Sequence, residues 1–308
     1  MPSSLLTFLK KIYLKLKSLN LKKIKLAISI LIVVTTFLLF YKYLSSHHQT
    51  LEQLKRLSPT FILEIIGLYS IVLLELIYIL KTSLEIVELK LPFLENLLIN
   101  SYSLMVNFFM FGQSGPGLRA LYLKSKYKLK IKKFFYLTLL YYFYYFVISI
   151  AFILASVFNL WYVYILVLLS FFFILYLPSR SSNKFLDLKS KFKKSSKLFA
   201  FTLLQLVTQT YIFGLELNLV SKVGFKQLLS YSGFANLSLF ASITPAGIGI
   251  RESFLILSRK ISHVSSSTIV SASVIDRSIY IIFLILVLIF LLGFHSSNIL
   301  KKIKNIKN

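Results

Sequence analysis

The chain has no cysteine, which removes disulfides, thiolate nucleophiles and Cys-bound zinc or iron–sulfur clusters together. Histidine is nearly as scarce. The four present, His47, His48, His263 and His295, fall in loops or at helix ends, and none forms an HExxH-type pair on one helical face. Acidic residues number only 10 against 36 Lys and Arg. There is no Walker-type phosphate loop, no GxSxG elbow and no DxD-like carboxylate pair, so nothing supports ATPase, hydrolase or metal-dependent nucleotide-sugar chemistry. The chain reads as a non-enzyme, with no cofactor and no metal expected.

What is abundant is apolar surface. Apolar residues make up 57% of the 308, aromatics 16%, and the mean hydropathy is +0.77. That exceeds what a soluble chain of this size needs for a core, so most of it belongs in lipid. The net charge of +26 would suggest nucleic acid in a soluble protein, but its placement argues against such a partner. Seven lysines lie between Lys10 and Lys25, six between Lys124 and Lys133, seven Lys/Arg between Arg180 and Lys197, and four between Lys301 and Lys307. Basic clusters beside apolar spans follow the positive-inside rule and attract anionic headgroups.

Residues 1–25 carry Leu5, Leu9, Ile12, Leu16 and Leu19 at three- and four-residue spacing with lysines between them, the pattern of a basic amphipathic surface helix. A single transmembrane domain is expected over 26–293, then a basic cytoplasmic tail over 294–308. Six segments suit spanning helices: Leu26 to Phe40, read as an uncleaved first span, Phe61 to Leu80, Phe134 to Leu154, Leu160 to Leu177, Leu198 to Val220 and Ile269 to Leu292. Two shorter apolar runs, Leu97 to Phe111 and Leu228 to Ile243, end in the Gly/Pro clusters GQSGPGLRALYL and TPAGIGIRESFL. Broken helices at membrane depth need cover from protein or a polar cavity, so these read as two re-entrant helical hairpins. The fold class expected is an all-α polytopic membrane protein of eight hydrophobic segments.

An offset of 132 places Gly115 on Gly247, Gly117 on Gly249 and Arg119 on Arg251, and carries the following spans onto each other without a gap. An internal repeat is expected, with halves about 58–177 and 198–293 and a basic linker 178–197. If the lysine clusters are cytoplasmic, the first hairpin opens inward and the second outward, because three spans separate them. The repeat is then inverted, an arrangement that in transporters puts the binding site at the interface of the halves.

The candidate substrate-binding residues are Gly115, Gly117, Arg119, Pro245, Gly247, Gly249, Arg251, Glu252, Asp276 and Arg277. Glycines let backbone turn or approach a group closely, the helix starts after them favour anions, and Arg119 or Arg251 can add a forked phosphate contact. The alternative is that both arginines only fasten the hairpins or reach headgroups. Glu252, Asp276 and Arg277 are costly in lipid and should face one another or an aqueous cavity. This leaves either a closed ion-pair network or one arginine free for substrate. Gln205, Thr208, Gln209 and Glu216 share one helical face, and Glu64 and Glu75 another, so both stripes should point inward. Glu75 and Glu216 are candidates for proton coupling, or else hydrogen-bonded glue. The run YYFYYF from Tyr141, with Trp161, Tyr162 and Tyr164, reads as interface belt and packing, with a sugar-stacking platform as the other reading.

At the two Gly-rich clusters the sequence resembles the lysylphosphatidylglycerol synthase transmembrane, or flippase-like, family. The matches are GPGLRALYL, with Gly115, Arg119 and Ala120, and PAGIGIRES, with Pro245, Gly247, Gly249, Arg251 and Glu252. The pair Asp276 and Arg277 fits the family's last conserved span. Where the family often has a charged pair after the first motif, this chain has tyrosines around Tyr144 and Tyr145. The resemblance covers roughly residues 58–293 and lacks the soluble aminoacyl-transferase domain of larger members, which implies lipid translocation without lipid synthesis at the plasma membrane. The expected substrate is an aminoacylated phospholipid or a polyprenyl-phosphate-linked sugar. The competing readings are a membrane-embedded transferase with Glu252 or Asp276 as base, and an accessory protein that docks a glycosyltransferase or other lipid-modifying enzyme through its basic loops.

Basic tails and six crossings place both termini in the cytoplasm. A reporter fused to either end is expected to read out inside, and an external signal would overturn the topology together with the inversion of the repeat.

Overall fold

A computed structural model describes residues 57–110, 114–158, 184–242, 244, 247 and 249–307 and the single residue Leu38, with helical backbone alone for 184–191 and 295–307. Two compact units divide the chain, Met1–Ser46 and His47–Asn308, and all that follows concerns the second. The expected surface helix 1–25, the span Leu26 to Phe40 apart from Leu38, the span Leu160 to Leu177, and Pro245 lie outside the described residues.

The described residues form eight helices and no strand: α1 (Pro59–Ile86), α2 (Phe93–Phe109), α3 (Ser114–Tyr127), α4 (Ile131–Val157), α5 (Lys184–Val220), α6 (Phe225–Ala241), α7 (Ile250–Ser262) and α8 (Ser266–Lys307). Local chemistry explains several bounds. Ser58 caps α1 by accepting from the Phe61 amide at 3.2 Å, and Pro59 occupies the first turn, where its missing N–H costs nothing. His263 ends α7 in the left-handed conformation. Two helices run further than the sequence suggests. α5 starts at Lys184, within the expected linker, and α8 continues to Lys307, through the expected tail, because lysine is a good helix former and no proline intervenes.

Four helices are long and apolar enough to cross a membrane: Pro59–Ile86, Ile131–Val157, Phe192–Val220 and Ser266–Phe294. Their outer faces are apolar, as Ile282, Ile285, Leu288, Ile289 and Leu292 on α8 illustrate, whereas Asn96, Asn100, Gln205, Glu216, Asp276 and Arg277 are buried inside. Such a distribution suits lipid as the solvent. Glu64, expected inward beside Glu75, is exposed, because it lies in the first two turns of α1, where a charge can reach the headgroup region; Glu75 is buried.

α2 and α6 have 17 residues each, about 25 Å at 1.5 Å per residue, against a hydrocarbon thickness of about 30 Å. Each folds back on the helix after it. In α2–α3 the Gly115 amide meets Asn107 near the tip, and Lys126 meets Glu95 at the base. In α6–α7 the base is closed by Gln227 donating to the Ser262 carbonyl at 2.9 Å. Both pairs are antiparallel helical hairpins. The offset of 132 found in the sequence carries Phe93–Phe109 end for end onto Phe225–Ala241.

The helix pairings recur in the same way. α1 packs along α5, α1 on α2 as α5 on α6, α4 on α6 as α8 on α2, and α3 on α4 as α7 on α8. The α4–α6 contact is the closest. A Cβ on Gly233 would stand 2.5 Å from Ile153 Cγ1 and 2.8 Å from the Ser149 carbonyl. Helix association in lipid depends on such small residues, since burial of apolar surface drives little there. Gly233→Leu is expected to lower stability by about 1–3 kcal/mol in detergent melts. Gly67→Leu, where nothing lies within 4 Å, should leave the melting curve unchanged.

Candidate functional site

A polar stripe runs along α2, where Asn96, Asn100, Ser103 and Asn107 recur at four, three and four residues in an apolar helix. These side chains form a relay. Asn96 Nδ2 donates to the Ile77 carbonyl at 2.9 Å, and Asn100 Nδ2 donates to Asn96 Oδ1 at 2.7 Å. Asn100 Oδ1 then accepts from Arg119 Nη1 at 3.2 Å. Closer to the tip, Asn107 Oδ1 accepts the Gly115 amide at 2.6 Å, and Ser103 Oγ reaches the Gly115 carbonyl at 3.3 Å. A Cβ at Gly115 would lie 2.7 Å from both Asn107 Oδ1 and the Ser103 carbonyl, so glycine is required there. Gly117 is helical with open space around it, and a turn was expected at that position. The helix begins at Ser114, so Gly117 already lies within its first turn.

At the base of this hairpin, outside the four candidate spans, Glu95 accepts from Tyr122, Lys126 at 2.7 Å and Tyr127 at 2.9 Å. Partial burial pushes the Glu95 carboxyl up, but the three hydrogen bonds outweigh it and hold it below the ordinary carboxylate value.

The second hairpin is tied down by charge. Gly247 and Gly249 take φ of +66° and +84°, which L side chains rarely adopt. Glu252 then reaches back, its Oε2 accepting the Gly249 amide at 2.8 Å, half of a capping box. Its Oε1 pairs with Arg277 Nη2 at 2.8 Å and accepts from Ser273 at 2.9 Å. Arg277 also donates to the Gly247 carbonyl at 3.3 Å, so α8 holds the loop from two sides. One residue before Glu252, Arg251 pairs with Asp276, which also accepts from Tyr69 on α1. The Arg251 guanidinium sits over the Phe213 ring at 5.2 Å. Both arginines of the second hairpin and the last helix are thus paired, Arg251 with Asp276 and Arg277 with Glu252. One backbone amide at each hairpin tip is taken by protein, that of Gly115 by Asn107 and that of Gly249 by Glu252.

Both hairpin tips wall one cavity of about 290 Å³, lined also by α1, α4, α5 and α8. Arg119, Arg251, Asp276 and Arg277 reach it, as does Gly247. Glu75 and Glu216 are buried but do not line it; Thr208 donates to Glu75 Oε1 at 2.7 Å, while Glu75 Oε2 and Glu216 Oε1 have no partner among the described residues. The cavity is lined also by Tyr141, donating to Gln205 Oε1 at 3.0 Å, and Tyr145, whose hydroxyl lies 3.1 Å from Gln209 Oε1 and 3.0 Å from Asn236 Oδ1. The aromatic run was read chiefly as packing and belt; the face of it carrying Tyr141 and Tyr145 is cavity wall.

A model of the lysylphosphatidylglycerol synthase TM region matches residues 24–287. The chain belongs to that family. With four apolar helices of spanning length, it is therefore a multi-pass membrane protein of a lipid-processing family. No curated protein matches the sequence.

Within this family member the three arginines differ in partners. The offset of 132 sets Ala120 at the position of Glu252 and Tyr144 at that of Asp276, so the first half lacks both carboxylates that neutralise arginines in the second. Tyr144 is turned to Ser195 at 2.6 Å. Among the described residues no carboxylate pairs with Arg119, and its Nε has no acceptor. Arg251 likewise keeps one unpartnered nitrogen, Nη2. Sequence reasoning missed Tyr69, Asn100 and Asn107, although the polar stripe on α2 was a usable signal.

Removing one member of a buried ion pair costs about 3–5 kcal/mol because the other charge is stranded. Glu252→Gln is therefore expected to destabilise the protein more than Glu252→Gln combined with Arg277→Met. A double-mutant cycle of detergent melts checks this, and additivity within about 0.5 kcal/mol would mean the pair is not coupled.

Proposed function

We propose that the chain is a flippase that carries a phosphate-bearing polar lipid across the plasma membrane, moving lipid and not making it. The observation that carries this reading is Arg119, an arginine on the cavity wall with no carboxylate partner among the described residues. A cation held in a largely apolar bundle without a counter-ion favours an anion from outside. A lipid phosphate bound between Arg119 of the first hairpin and Arg251 Nη2 of the second supplies it, through charge-assisted hydrogen bonds. The headgroup occupies the cavity and the tails stay in the surrounding lipid.

The two hairpins are re-entrant and enter from opposite sides, in six spans with cytoplasmic termini. This is supported by the shared offset of α2 and α6, by the recurring helix pairings and by hairpins too short to span. Inverted repeats whose broken helices meet at mid-membrane are a common means of alternating access, the two halves rocking about a fixed site.

Arg119→Ala is expected to slow lipid movement about ten- to a hundredfold, the worth of one hydrogen bond to a charged group. Arg119→Lys should restore little, since lysine lacks the fork. Proteoliposomes containing acyl-labelled fluorescent phosphatidylglycerol, with dithionite quenching of the outer leaflet, provide the measurement. Wild-type rates in a properly inserted Arg119→Ala protein would refute the phosphate role.

A further inference from the structure

Resting on the lipid-transport reading, we propose that the headgroup carried is a neutral polyol or sugar joined to its lipid by a single phosphodiester, and not an aminoacylated, cationic one. Charge is the first ground. A facing carboxylate is the strongest partner for a cationic headgroup, yet Asp276 is held by Arg251 and Tyr69, and Glu252 by Arg277, Ser273 and the Gly249 amide. Glu75 and Glu216 do not line the cavity. Three arginines against those two paired carboxylates leave one positive charge, at Arg119, which matches one phosphodiester and falls short of a diphosphate.

The second ground is the chemistry of the wall formed by Tyr141, Tyr145, Gln205 and Gln209. Gln205 and Gln209 turn their Oε1 atoms to Tyr141 and Tyr145, which leaves two amide NH2 groups at the cavity with no acceptor among the described residues. The single Tyr145 hydroxyl proton is shared between Gln209 Oε1 and Asn236 Oδ1, so one amide oxygen there still takes a donor. A wall that both donates and accepts, with aromatic faces beside it, suits hydroxyl groups, each of which does the same. An ammonium group has three donors and no acceptor, and would leave the glutamine NH2 groups unmet. Arg119 lines the same cavity as Tyr141, Tyr142, Gln205 and Gln209, so phosphate and polyol are bound within one site.

The test is calorimetric titration of the full chain in nanodiscs with short-chain lipids. Dihexanoyl phosphatidylinositol and citronellyl phosphoglucose represent a glycerolipid and a prenyl source of the same chemistry. The lysyl ester of dihexanoyl phosphatidylglycerol represents the cationic class, and dihexanoyl phosphatidic acid the bare phosphate. One or both polyol lipids should bind at least about tenfold more tightly than the lysyl ester, and the one that does identifies the anchor. Gln209→Ala should weaken polyol lipids about tenfold while changing phosphatidic acid less than about twofold, the expected loss of hydrogen bonds to the headgroup alone. Gln209→Glu, nearly isosteric, should shift preference toward the lysyl ester. If the lysyl ester binds as tightly as the polyol lipids, and Arg119→Ala weakens it, this inference falls while the lipid-transport reading stands. If none of the lipids binds, both fall.

Discussion

The second hairpin hangs on one carboxylate. Glu252 satisfies the amide that opens α7, neutralises Arg277 and receives Ser273, so a single side chain fixes a glycine turn, a helix start and the α7–α8 contact. In lipid no water is present to take over any of these, and each group left bare costs several kcal/mol. That demand explains why the strained turn at Gly247 and Gly249 persists. The loop is braced by Arg277 on its carbonyl and by Glu252 on its amide, and both braces come from charges that also cancel each other.

The first hairpin solves the same problem at its tip and in its interior without a carboxylate. Its tip is held by Asn107 and Ser103, its interior by the relay from Ile77 through Asn96 and Asn100, and its base by Glu95 with Tyr122, Lys126 and Tyr127. Amides neutralise nothing. They orient Arg119 but leave its charge intact, whereas the second half orients its arginines and discharges them in the same contacts. A central arginine is costly by about 2.5–3.5 kcal/mol on membrane-insertion scales, and a cavity able to admit an anion offsets that cost. The difference between halves therefore reduces to two positions, Ala120 against Glu252 and Tyr144 against Asp276.

Much of this was legible in the sequence, because lipid makes patterns coarse. The spans from Phe61, Phe134, Leu198 and Ile269 all fall within helices of spanning length, and the family was recognisable from two glycine clusters. Charged residues in apolar surroundings identified Arg251, Glu252, Asp276 and Arg277, since each must find a partner. What the sequence did not give was which partner. Pairing depends on rotation of α7 against α8, and on Tyr69 arriving from a helix more than two hundred residues away. The extent of glycine's role was likewise hidden: Gly117 and Gly249 share a motif position, but one is helical and the other has a positive φ.

In the proposed topology the two tips come from opposite leaflets, and neither hairpin is long enough to cross alone. Their meeting place is then the only depth at which both can contribute to a site. A headgroup there faces polar side chains from every described helix that lines the cavity, while its tails face the apolar outer surfaces of α4, α5 or α8. The main barrier to unassisted lipid crossing is dehydration of the headgroup in hydrocarbon. On the lipid-transport reading, the cavity of about 290 Å³ lined by Arg119 lowers that barrier for the phosphate and its amide wall lowers it for hydroxyls, so selectivity and transport arise from the same residues, because a headgroup the wall cannot satisfy must be dehydrated without compensation.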